Sequence, residues 1–156
     1  MAFMPGKIHL ELIQAALSNS DLDVDPNLLA GALNRAAMIG DTEAIEAILD
    51  RGTNINTRDA NGRTPLIEAA FGGHYDTVKF LLSRGAKIDI KDESGWTALM
   101  EAASKGHINV VKMLLAAGAS VTTASDLGAT ALNVTSKRQT LLKRVLKERM
   151  REVRKG

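Results

Sequence analysis

Three histidines are the chain's only side chains suited to general acid–base work near neutral pH, and their spacing builds no site. His74 and His107 stand thirty-three residues apart in matching surroundings, Gly73-His74 and Gly106-His107. A slot that recurs in this way is structural. His9 has no second ligand beside it in sequence, and without cysteine neither a thiolate zinc site nor a disulfide framework can form. Serine and threonine are plentiful, yet none lies in a nucleophile-elbow motif, and no glycine-rich phosphate loop is present. The residues therefore point to a protein that is not an enzyme and needs no cofactor or metal.

What remains is the chemistry of recognition, and its plainest feature is charge. Residues 137–156 hold nine Lys or Arg and two Glu, a net of +7, while the rest of the chain carries eleven cations and sixteen carboxylates, a net of −5. On a helical wheel Leu142, Val145, Leu146, Met150 and Val153 face one way. Arg144, Lys147, Arg151 and Lys155 face the other, flanked by Lys143 and Arg154, as a stripe about 20 Å long. Such a stripe suits nucleic acid, an acidic membrane surface or an acidic protein. It equally suits a capping helix, whose outer face must be charged and whose C-terminal cations complement the helix dipole. No aromatic interleaves the basic residues, so base stacking is not on offer.

The elements that position these residues follow from a period. Asp59-Ala60-Asn61-Gly62-Arg63-Thr64-Pro65-Leu66 returns thirty-three residues later as Asp92-Glu93-Ser94-Gly95-Trp96-Thr97-Ala98-Leu99. Ala69-Ala70, Leu81-Leu82 and Gly85-Ala86 recur at the same offset. A fixed period of this length means stacked supersecondary units. Asn61-Gly62 and Ser94-Gly95 read as turns, Thr64 and Thr97 as helix N-caps, and Pro65 as the first helical residue. Gly73 ends that helix and His74 opens a second, whose Val78, Leu81 and Leu82 form an apolar stripe stopped by Gly85. With aromatics at only 3% of the chain, the core must be built from Leu, Ile, Val and Ala.

The period also sets boundaries. Leu12, Ile45, Val78 and Val111 align, as do Leu22, Ile55, Ile88 and Val121, and as do Asn19, Gly52, Gly85 and Gly118. The organisation expected is a flexible 1–6, a half-unit cap at 7–25, a degenerate unit at 26–58, full units at 59–91 and 92–124, and a capping unit with the basic helix at 125–156. Gly31-Ala32 stands where Thr-Pro would in the degenerate unit. In the last unit the stripe Leu142, Val145, Leu146 arrives two residues early, which implies a shortened turn between its helices. No stretch approaches the eighteen apolar residues of a membrane span. The segment Met1 to Gly6 lacks the regions of a signal peptide, so an intracellular, cytoplasmic setting is expected.

Together these residues spell D-x-x-G-x-T-P-L-x-x-A-A-x-x-G-H-x-x-x-V-x-x-L-L-x-x-G-A, a pattern that closely resembles the ankyrin repeat over about 25 to 140 of the chain. The resemblance implies an all-α repeat solenoid of helix-turn-helix units joined by β-hairpin loops, with capping helices at both ends. One departure is plain. The family usually has His after Thr-Pro-Leu, where this chain has Ile67, Met100 and Asn133, so some polar glue between repeats should be missing and apolar packing should replace it. Asn56 matches the loop asparagine that can be hydroxylated in the family.

The resemblance further implies a concave groove of loop tips and first helices that binds a protein partner; the chain is itself expected as a monomer. Carried over by position, that surface holds Arg63, Glu68, Phe71, Arg84, Trp96, Glu101, Lys105 and Leu127. Trp96 and Phe71 are the expected apolar anchors, although Trp96 could also fold over its loop as packing. Glu68 and Glu101 share one column and are expected as a short acidic ladder along the groove. Binding of an anionic partner through Arg144, Lys147, Arg151 and Lys155 is the alternative.

Overall fold

The computed structural model describes residues 25–156, in which eight helices follow one another without a strand. They are α1 (Pro26–Ile39), α2 (Thr42–Asp50), α3 (Pro65–Gly72), α4 (Tyr75–Ser83), α5 (Ala98–Lys105), α6 (Ile108–Ala116), α7 (Ala131–Val134) and α8 (Thr140–Lys155). The half-unit expected at 7–25, with His9, Leu12, Asn19 and Leu22, lies outside the described residues save for Asp25.

Local chemistry explains the two middle pairs, α3–α4 and α5–α6. The Thr64 and Thr97 hydroxyls accept from the Ile67 and Met100 N–H groups at 3.3 and 3.4 Å, which starts α3 and α5. Pro65 opens α3 where no intrahelical N–H is needed. Gly73 (φ 72°) and Gly106 (φ 79°) take the left-handed conformation that stops each inner helix. His74 and His107 then open α4 and α6, but neither imidazole caps its own helix. Each instead reaches back one pair. The His74 Nε2–H donates to Met38 O at 2.8 Å and the His107 Nε2–H to Phe71 O at 3.0 Å.

Packing runs along the stack. The inner helices α1, α3, α5 and α7 touch in sequence, and the outer helices α2, α4, α6 and α8 form a looser row behind them. Ala36, Ala37, Ala69, Ala70, Ala102 and Ala103 are all fully buried, so small side chains set the close approach of the inner row. Ile45, Val78, Val111, Leu81 and Leu114 fill the space behind it without exposure. Ile67 and Met100 are buried too, supplying the expected apolar packing in the column where histidine was missing. Polar links between pairs persist elsewhere. Asn56 Oδ1 accepts from the Lys87 N–H at 2.8 Å, Asp89 Oδ1 from the Ser120 N–H at 3.0 Å, and Thr42 and Thr77 share a hydroxyl bond at 3.0 Å.

The joining loops are hairpins too short to contain strand. The Asp59 N–H donates to Arg63 O at 3.0 Å while Asp59 Oδ1 accepts from the N–H groups of Asn61 and Arg63. Asp92 repeats this around Ser94 and Trp96. Successive loops are stitched by Glu93 N–H to Asn61 O (3.0 Å) and Asp126 N–H to Ser94 O (3.3 Å).

In the degenerate unit, with no Thr-Pro at Gly31-Ala32, α1 runs fourteen residues straight through them, because Asp25 caps the helix and Pro26 opens it. One expectation needs correction. In the last pair the turn is lengthened, not shortened. Inner helix α7 has four residues against eight in α3 and α5, and residues 135–139 bridge to α8. The cause is at the stop position. Gln139 stands one period after Gly106, so the left-handed residue is missing. Thr135 ends α7 early in extended conformation (ψ 127°), its hydroxyl donating to Ala131 O at 2.7 Å.

Candidate functional site

On the inner-helix side of the middle pairs the side chains converge on Arg63, whose backbone is fixed by the Asp59 turn. Its guanidinium bonds Glu101 Oε1 through Nη2 at 2.6 Å, with Glu68 Oε1 3.7 Å from Nη1 and Asp92 Oδ2 3.7 Å from Nε. One side chain thus joins two helix pairs. The expected acidic ladder is not a solvent-facing feature: Glu68 and Glu101 are 6% and 5% exposed and lie beneath Arg63. Burial raises both carboxyls above the ordinary 4.5, and Arg63 opposes that rise. Neighbouring carboxylates add to it, Asp59 and Glu101 at Glu68 and Asp92 at Glu101.

Phe71 sits over this network. The Arg63 Cζ lies 5.1 Å from the ring centroid and the Lys105 Nζ 4.5 Å, so the ring meets two cations, of which Arg63 is fixed by the carboxylates. Phe71 is half-buried and Lys105 exposed. Trp96 is half-buried as well, packed against the core. Neither aromatic stands free on the surface as expected, and the packing alternative for Trp96 accounts for part of its ring. Leu127, at the tip of the next loop, is 98% exposed.

Arg84 does not join this group. It caps outer helix α4, pairs with Asp50 at 2.9 Å and Glu46 at 3.9 Å, and stacks over Phe80 at 5.4 Å. These partners put it on the outer row, because the residue following the second helix belongs to that row and not to the groove.

The alternative anion-binding residues share one helix face. Leu142 and Leu146 of α8 are buried against the stack, and residues 151–156 are all exposed. Arg144 is paired with Glu148 at 3.0 Å, and Arg149 with Glu152 at 3.0 Å. Lys147, Arg151 and Lys155 are exposed, with no ion pair among the described residues.

Sequence reasoning missed Arg63 as a hub. The available signal was that position 63 and position 101 carry opposite charges in adjoining units, a contact visible only once the loop is known to fold over the next inner helix. It also missed the histidine bridges, whose acceptors lie thirty-six residues upstream.

Comparison with known families agrees with this architecture. A model of ankyrin repeats (three copies) matches at residues 4–92, 33–125 and 84–151, together most of the chain. The chain belongs to the ankyrin-repeat family. No curated protein matches it. Ankyrin repeats generally mediate protein–protein interaction and are typically non-catalytic. No helix among the described residues is long and apolar enough to cross a membrane.

Proposed function

We propose that the chain is a non-catalytic adaptor, inhibitor or scaffold that docks a partner protein on the inner-helix and loop-tip face of the middle repeats. The observation that carries this reading is Phe71 held between Arg63 and Lys105 over buried Glu68 and Glu101. Ion pairs and stacking fix these side chains before a partner arrives, so little conformational entropy is left to lose on binding. Phe71 and the exposed part of Trp96 supply apolar contact, Leu127 extends it along the loop tips, and Lys105 orients an acidic group of the partner. Glu68 and Glu101 act through Arg63, as positioning residues.

The test is capture of a partner from native lysate by wild type, Lys105→Glu, Phe71→Ala and Arg84→Ala. Lys105 is exposed, and circular dichroism verifies that its charge reversal keeps the fold. Lys105→Glu and Phe71→Ala should each weaken capture at least tenfold, about 1.4 kcal/mol, as removal of a hot-spot residue does. Arg84→Ala should leave it unchanged. Equal capture by all four proteins would end the proposal.

A further inference from the structure

Helix α8 carries a surface that the groove does not use. Lys143, Lys147, Arg151 and Lys155 recur every four residues, about one helical turn apart, with Arg154 beside them, along one side of a sixteen-residue helix. Glu148 borders this stripe, but it and Glu152 pair with Arg144 and Arg149, so none of the five cations has an ion-pair partner among the described residues. The last turn projects from the stack, with residues 151–156 all exposed.

From this we infer that α8 binds double-stranded DNA through its phosphate backbone, without regard to base sequence. Three observations select that occupant. The stripe contains no apolar side chain: Leu142 and Leu146 are buried in the stack, and the exposed Leu141 and Val153 fall outside it. Insertion into a lipid surface and a packed protein interface both need apolar contact on the face that docks, whereas phosphate neutralisation needs only cations. The stripe also lacks Asn, Gln and aromatic residues, which removes adenine readout and base stacking, while every one of its cations can neutralise a phosphate. The shape fits too, since an α-helix with its side chains is about 10–12 Å across and the major groove of B-DNA is about 12 Å wide. Residues 1–136, with a net charge of −5, repel DNA and confine the contact to the basic C-terminal segment that α8 forms. This inference is independent of the groove.

The experiment is fluorescence anisotropy of a short labelled DNA duplex titrated with wild type, Lys147→Glu/Arg151→Glu and Lys112→Glu. Flotation with vesicles of phosphatidylcholine and phosphatidylserine runs in parallel. All three substituted residues are exposed, and circular dichroism verifies the fold. Wild type should bind the duplex, losing roughly a hundredfold in affinity between about 50 and 200 mM salt, the dependence expected for about four phosphate contacts. The double reversal should lose at least about tenfold at low salt. Lys112→Glu, on outer helix α6, should match wild type. The inference is overturned if wild type leaves the duplex free at low salt, or if the double reversal binds as well as wild type. Equal loss with Lys112→Glu would overturn it too, as would vesicles bound more tightly than the duplex.

Discussion

The middle helix pairs and the final pair begin alike and diverge within a few residues. Thr64, Thr97 and Thr130 all precede an inner helix, but only the first two hydroxyls cap it. In the middle pairs an eight-residue inner helix stops on a left-handed glycine, and a histidine pins the turn to the preceding pair. In the final pair neither glycine nor histidine is present, α7 has four residues, and Gln139 stands against Gly106 where the imidazoles stand against Gly40 and Gly73. The difference shows where the structural information of a repeat lies. A few backbone-setting residues fix the pair; the apolar stripe alone does not. It also divides the surface, since the regular pairs assemble the Arg63 network and the irregular one releases a long cationic helix.

The largest effect should come from breaking the regular stop. Gly73→Ala forces a side chain into φ 72° and brings its Cβ to 2.6 Å from the His107 ring. A left-handed non-glycine residue and the overpacking together should cost about 2–4 kcal/mol. Gly128→Ala, at φ 75° in the final loop with open space around it, should cost only about 1–2 kcal/mol. Urea unfolding of both variants checks this, and equal losses would remove the histidine contact from the comparison.

Removing a cap should have a smaller effect. Thr64→Ala loses the bond to the Ile67 N–H and should cost about 1 kcal/mol, whereas Thr130→Ala, with no cap bond to lose, should change stability by a few tenths. Thermal unfolding separates the two, and a cost at Thr130 equal to that at Thr64 would sink the distinction.

The smallest effect concerns pH. Glu68 and Glu101 bind their protons more tightly in the folded state, because burial raises both carboxyls. Their stabilising contribution is therefore full below the ordinary 4.5 and is lost as pH rises through the raised folded values. Glu68→Gln makes position 68 neutral throughout and should flatten the decline between pH 4.5 and neutrality. Glu101→Gln is a poorer probe, since it also breaks the 2.6 Å bond to Arg63. Urea unfolding across that range gives the slopes, and identical slopes for wild type and Glu68→Gln would contradict the account.

How much could be read from the sequence varied with the range of the interaction. Caps, stops and the apolar stripe are local, so Thr64, Pro65, Gly73, Gly85 and Val78 carried their roles in plain view. The start of α1 is equally local, since Asp25 caps it and Pro26 opens it, but it stands six residues ahead of Gly31-Ala32, the place of Thr-Pro in the other units. The site was harder. Arg63, Phe71 and Lys105 were each singled out, but their mutual contact spans two repeats and depends on how a loop folds over the next inner helix. Burial of Glu68 and Glu101 ran against the expectation for charged helix residues, and only the guanidinium above them makes it tolerable. Arg84 went the other way, because position within a repeat does not say which row a helix end joins.

The central claim is that binding of the protein partner belongs to the face around Phe71 and not to α8. It is tested most directly by measuring the affinity of a captured, purified partner for wild type, Lys105→Glu and Lys147→Glu/Arg151→Glu side by side. The account predicts at least a tenfold loss for Lys105→Glu, about 1.4 kcal/mol, and wild-type affinity for the α8 variant. Loss on reversing α8, with Lys105→Glu still binding as wild type, would contradict it.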